Sequence, residues 1–155
     1  MKAKKVNEAL GDLLKGKSDD QLYSDLKDMP PSKYLLAAAT LGYLPGVKDA
    51  MRKGANVWDM GHQAITMAAK NGKWSVVKYM LNNGKEINGE KTNVNARNNS
   101  LIWAAWGHKN FKMIDYLVSK GANVSDGLYM SAYKEPYEPY FKRLQAIMSK
   151  YNLET

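Results

Sequence analysis

Cysteine is absent from this 155-residue sequence, which excludes disulfide staples and thiol chemistry and suits a chain working inside the cell, in the cytoplasm. Histidine is nearly as scarce. The two present, His62 and His108, stand at expected turns without the His-x-x-x-His spacing of a zinc site, so no metal is expected. No run of roughly 18 apolar residues occurs, so no membrane-spanning helix is expected. The N-terminal Lys2, Lys4 and Lys5 are followed by Val6, Ala9, Leu10, Leu13 and Leu14 with acidic residues between, an amphipathic pattern rather than a secretory leader. A glycine-rich phosphate cradle after a strand is missing, as is a serine in a strained elbow. With Asp19-Asp20 explained by helix capping, no catalytic residue and no cofactor are expected, and the chain reads as a non-enzyme.

What is present is a pattern that recurs. In Gln63 to Gly84, the apolar Ile65, Met67, Ala68 and Ala69 form one short helix face, Asn71-Gly72 breaks it, and Val76, Val77, Met80 and Leu81 form a second face at helical spacing. Upstream, Tyr34 to Ala39 leads to Leu41-Gly42, then Val47, Ala50 and Met51, then Lys53-Gly54-Ala55-Asn56-Val57. Downstream, Leu101 to Ala105 leads to Met113, Ile114, Leu117 and Val118, then Lys120-Gly121-Ala122-Asn123-Val124. The closing glycines Gly54, Gly84 and Gly121 are 30 and 37 residues apart, bracketing a period of about 33 residues known for one solenoid class. A hairpin of two short helices cannot bury its apolar faces unaided, so each unit needs neighbours of the same shape. The paired alanines, the apolar pairs of the second helix and the repeated Lys-Gly-Ala-Asn-Val resemble the ankyrin-repeat family. The resemblance covers 33 to 124 and implies an all-α solenoid of stacked helix-turn-helix repeats with short finger loops or hairpins.

The expected organisation is a single ankyrin-repeat domain over 1–155. It comprises a helical N-terminal cap at 1–32, repeats at 33–60, 61–99 and 100–126, and a C-terminal capping repeat at 127–155. Ser18 and Gln21 form a capping box for a helix striped by Leu22, Leu26 and Met29, and Pro30-Pro31 stops it. Proline is tolerated in a first turn, so Pro45 still allows a helix to Arg52. Near the end, Leu128, Met130 and Ala132 suggest a short helix. Pro136 and Pro139 interrupt the stretch after it, and Tyr140, Phe141, Leu144, Ile147, Met148 and Tyr151 then fall at helical spacing. The largest irregularity is 85–99, where Ile87-Asn88-Gly89 has the chemistry of a hairpin tip and a plain longer loop is the alternative.

In ankyrin-like proteins the fingers and the concave surface of the first helices usually carry the partner, so the resemblance implies a binding module, a scaffold, adaptor or inhibitor, acting as a monomer. Trp58 and Met60 in the first finger either pack against its base or anchor a partner. The third repeat has two possible registers: counting back from Gly121 sets Trp106 opposite Ala69, whereas matching the alanine pairs directly sets it opposite Lys70, with one extra residue near Gly107-His108, and the second is preferred. On that register Lys70, Asn71, Trp106 and His108 line the binding face and Trp103 is internal, because an indole in a methyl-sized slot would overpack. The net charge is +8, which favours an acidic partner protein, with nucleic acid as the alternative. Lys85, Lys91 and Arg97 are the local cluster for either. The remaining cations are spread along the chain, where solvated charge is the simplest reading. Tyr133, Tyr137 and Tyr140 either pack at the terminal helix junction or form an aromatic patch.

Overall fold

The helices follow from where the sequence places its caps and its alanines. A computed structural model describes residues 15–57, 59–84 and 94–153, apart from the side chains of 59–61 and 96–98. The described residues form α1 (Asp19–Leu26), α2 (Pro31–Leu41), α3 (Leu44–Arg52), α4 (Asp59–Lys70), α5 (Trp74–Asn83), α6 (Ala96–Gly107), α7 (Phe111–Ser119), α8 (Asp126–Tyr133) and α9 (Glu138–Lys150), with no strand among them. The expected N-terminal helix over Val6 to Leu14 and the hairpin tip at 87–89 lie outside the described residues. The chain divides into two compact units, Met1–Thr92 and Asn93–Thr155, and the division falls inside the irregular stretch at 85–99.

In the first unit α1 starts at the capping box, with the Ser18 Oγ accepting from the Gln21 amide and the Gln21 Oε1 accepting from the Ser18 amide. Leu22 and Leu26 are its buried face, turned to α2 and α3. Small residues then set the spacing of the first helices. Ala37, Ala38 and Ala39 of α2 and Ala64, Ala68 and Ala69 of α4 are all buried, and methyl-sized side chains let the two backbones lie close. The second helices α3 and α5 also pack together. Gly46 in the first turn of α3 is required by space, since a Cβ there would run into the Tyr43 ring. That ring is buried, and its hydroxyl donates to the Asp19 carbonyl at 3.3 Å.

The turn inside each hairpin is the same device three times. Gly42, Gly72 and Lys109 adopt φ of 75°, 67° and 51°. In each, the amide after the turn residue reaches back five residues: Tyr43 to the Ala38 carbonyl, Lys73 to Ala68 and Asn110 to Ala105. This is the helix ending in which a left-handed residue satisfies otherwise orphaned carbonyls. The second helices α3 and α7 end likewise, at Gly54 (φ 99°) and Gly121 (φ 92°). Helix α5 does not. Gly84 is extended, at φ −64° and ψ 135°, and its amide donates to the Met80 carbonyl at 2.8 Å.

In the second unit α6 and α7 form a hairpin and α9 packs on both α7 and α8. Leu101, Ile102, Ala105, Phe111, Met113, Ile114, Leu117, Leu128, Ala132, Leu144, Ile147 and Met148 are its buried core. Pro136 lies between α8 and α9 and Pro139 in the first turn of α9, where proline costs no helical hydrogen bond. Asn95 ties the start of this unit to the close of α7: its Nδ2 donates to the Gly121 carbonyl at 3.0 Å and its Oδ1 accepts from the Asn123 amide at 2.7 Å.

Candidate functional site

The register of the third hairpin decides which tryptophan faces solvent, and it differs from the expectation. Because the Lys109 turn repeats the Gly72 turn bond for bond, no residue is inserted near Gly107-His108. Ala105 is therefore the counterpart of Ala68 and Trp106 that of Ala69, while Lys70 corresponds to Gly107. Trp106 is 4% exposed and Trp103 is 37% exposed, so the two indoles exchange the roles expected of them. Overpacking presupposes a slot of constant size. In this unit α6 and α8 approach less closely than α2 and α4 do, and the indole fills the wider gap. Trp106 Nε1 donates to the Ser131 hydroxyl at 3.3 Å, and its ring meets Phe111 edge-on at 6.0 Å. Lys109 Nζ sits 3.6 Å from the centre of the same indole and 2.9 Å from Glu135 Oε2, which accounts for a lysine in a backbone conformation that favours glycine.

With Trp106 buried, the exposed apolar surface of the second unit is made by other residues. Leu128 and Ala132 point inward from α8. At about 100° per residue Gly127, Met130 and Tyr133 follow one another round its opposite side. The Trp103 indole lies over Gly127, close enough that an added Cβ would stand 3.6 Å from its Cζ2. Met130 is 45% exposed, Tyr133 63% and Tyr137 57%. Tyr133 and Tyr129 flank Phe141 edge-on at 5.5 and 5.2 Å, and Tyr137 packs on Tyr140 at 4.7 Å. The tyrosines therefore pack at the helix junction, Tyr133 on Phe141 and Tyr137 on Tyr140, while Tyr133 and Tyr137 leave ring area to solvent. Apolar character groups Met130 with Leu128 and Ala132, but a residue two positions from Leu128 lies on the far side of a helix.

The model of the family described as ankyrin repeats, in three copies, matches residues 35–126, more than half of the chain. The chain belongs to the ankyrin-repeat family. Its fold is accordingly an all-α repeat solenoid class, and ankyrin repeats generally serve as protein-protein interaction modules and are typically non-enzymatic. Neither the curated proteins nor the solved structures give a match.

Of the other residues expected at the binding face of this ankyrin-repeat chain, Trp58, Lys85 and Lys91 lie outside the described residues. Met60 and Arg97 are in α4 and α6, with their side chains also outside that description. Lys70 and Asn71 are exposed at the end of α4 in the first unit, and Asn71 Nδ2 donates to the Met67 carbonyl at 2.9 Å. Their first-repeat counterparts Thr40 and Leu41 are half-buried, Thr40 donating to the Leu36 carbonyl at 2.7 Å. His108 is exposed just past α6 in the second unit. Among the described residues no group of three or more histidine or acidic side chains could hold a metal ion.

Six of the described cations are answered by carboxylates. Lys17 pairs with Asp25, Arg52 and Lys53 with Asp49, Lys109 with Glu135, Lys142 with Glu138 and Lys150 with Asp115. Lys53, 3.1 Å away, is the main reason that the Asp49 carboxyl is held below the usual carboxylate range, with Arg52 adding to it. Behind it the buried Tyr34 hydroxyl faces Asp49 without a well-formed hydrogen bond, and burial, then that carboxylate, push it up to about 12. In the second unit Lys150, with Tyr151, lowers Asp115 in the same way, and Asp115 raises Lys150 in return.

Proposed function

We propose that this chain is a cytoplasmic, monomeric protein-binding module that covers or scaffolds a partner protein, docking it on the exposed side of α6 and α8. The observation that carries this reading is the apolar ribbon of Trp103, Met130 and Tyr133, because large aromatic and methionine side chains left in water mark interfaces more than any other surface feature. Gly107, His108 and Tyr137 of the same unit are exposed as well. The unpaired cations would steer an acidic partner toward it and add to its on-rate rather than to its residence time. Nucleic acid is the weaker reading, since six cations are tied to carboxylates.

The test is affinity purification from the native cell with wild-type chain, Trp103→Ala and Tyr133→Ala. Both variants should keep their helical circular dichroism and lose the partner by about tenfold or more, as hot-spot truncations do. Equal recovery by wild type and both variants would remove the ribbon from the interface.

A further inference from the structure

On the second helices of the same unit, away from the ribbon, α7 and α9 flank an open, shallow groove of about 350 Å³, at the small end of the ~300–1,000 Å³ typical of ligand clefts. Its floor is apolar, formed by Phe111, Ala146 and Ile147. Its rim is cationic, with Lys112, Arg143 and Lys150 set against a single carboxylate, Asp115. Asp115 is engaged by Lys150 at 2.9 Å, which leaves Lys112 and Arg143 unbalanced. Neither of them has a carboxylate partner among the described residues. The Arg143 guanidinium is also held in place, its carbon 4.1 Å from the centre of the Phe111 ring. Stacking occupies the face of a guanidinium and leaves the N–H donors in its plane for an acceptor, so part of the entropy of fixing this side chain is already spent.

We propose that this groove binds a short acidic segment of a partner protein, with an apolar side chain seated on Ala146 and Ile147 beside the Arg143-covered Phe111 and flanking carboxylates held by Arg143 and Lys112. Charge complementarity selects the sign of the ligand, and the floor selects its kind. Single-strand binding adds base stacking on aromatic faces to its phosphate contacts, and here the one aromatic face is covered by Arg143. A carboxylate suits the planar donors of Arg143, which can take it two-pronged. An aliphatic side chain covers the floor that phosphate alone would leave wet. On α9 the groove residues Arg143, Ala146, Ile147 and Lys150 form one stripe, and Phe141, which borders the ribbon, lies on the other side of the helix. The site therefore stands or falls separately from docking on α6 and α8.

The experiment uses the full chain, isotope-labelled for amide NMR, and three probes: the synthetic peptide Glu-Glu-Leu-Leu-Glu-Glu, the same peptide with glycine for leucine, and a single-stranded oligonucleotide. The leucine peptide should bind saturably, with shifts concentrated on α7 and α9 around Lys112, Arg143 and Ile147. Lys112→Glu, at an exposed position, and Arg143→Glu should each weaken it by about tenfold, the size of one charge-assisted contact. Trp103→Ala should leave it unchanged. Circular dichroism of Arg143→Glu guards against unfolding, and Lys112→Glu carries the test if that variant is unstable. The proposal is overturned by absent or unsaturable peptide binding, by equal binding of the glycine peptide, by tighter binding of the oligonucleotide, or by shifts confined to α6 and α8.

Discussion

Alanine faces the first-helix seam of unit one, whereas tryptophan fills the equivalent place in unit two. In the first, α2 and α4 meet through buried Ala38, Ala39, Ala68 and Ala69, and their hairpin turns are the glycines 42 and 72. In the second, Trp106 takes the position of Ala69 and Lys109 that of Gly72, and both side chains reach 25 or 26 residues onward to Ser131 and Glu135. The same backbone device thus tolerates two solutions to packing, one by close approach and one by a large spacer with a charged companion. What changes is the neighbour that each hairpin must meet, and α8 with the turn after it supplies Ser131 and Glu135 in place of alanines.

The comparison is broken most directly by exchanging the two solutions. Trp106→Ala should destabilise the fold by about 3–5 kcal/mol, as truncation of a buried aromatic does. The reverse change, Ala69→Trp, should cost about 1–3 kcal/mol or more through overpacking. Urea titrations followed by circular dichroism measure both, and a loss below about 1 kcal/mol for Trp106→Ala would mean that the indole is not a spacer. A smaller effect sharpens the contrast between the turns. Gly42→Ala forces a Cβ onto a residue at φ 75° and 2.7 Å from the Lys73 Cδ, so a cost of about 1–2 kcal/mol is expected. Lys109→Ala keeps the backbone strain and loses the indole and Glu135 contacts, about 1 kcal/mol, and Lys109→Gly should recover most of that by relieving the strain.

Titration should show the smallest effects, at both ends of the pH scale. Asp49 and Asp115 have folded values depressed below the unfolded one. Their contribution to stability is therefore fully present above the ordinary aspartate value near 4 and is lost as pH falls through the lower folded value. Asp49→Asn and Asp115→Asn should each flatten the acid limb of a stability profile. Tyr34 runs the other way: its folded value is raised from 10.0 to about 12, so stability holds below pH 10 and declines as pH rises toward 12. Tyr34→Phe should remove that alkaline limb, and an unchanged limb would point to another group.

Local pattern carried the fold a long way. The paired alanines of the first two repeats, the apolar pairs of the second helices, the capping box at Ser18 and the prolines at 136 and 139 are statements about residues within a turn or two of one another, and each is realised where the pattern places it. The candidate site was less legible because exposure there depends on residues distant in sequence. Whether Trp103 or Trp106 is inside is settled by Ser131 and by the width between α6 and α8, neither of which is written beside the tryptophans. A local signal does exist in the count back from Gly121, which aligns Trp106 with Ala69, but a general rule about methyl-sized slots points the other way. The pairing of Lys150 with Asp115, 35 residues apart, was illegible for the same reason.

The extended backbone at Gly84 has a practical corollary. A φ of −64° is open to every L-amino acid, and at this one boundary between repeats the glycine is not demanded by the helix ending, as it is at 54 and 121. Backbone conformation therefore sets no bar at that seam to a side chain that carries a probe or a crosslinker, because there is no left-handed close to overcome.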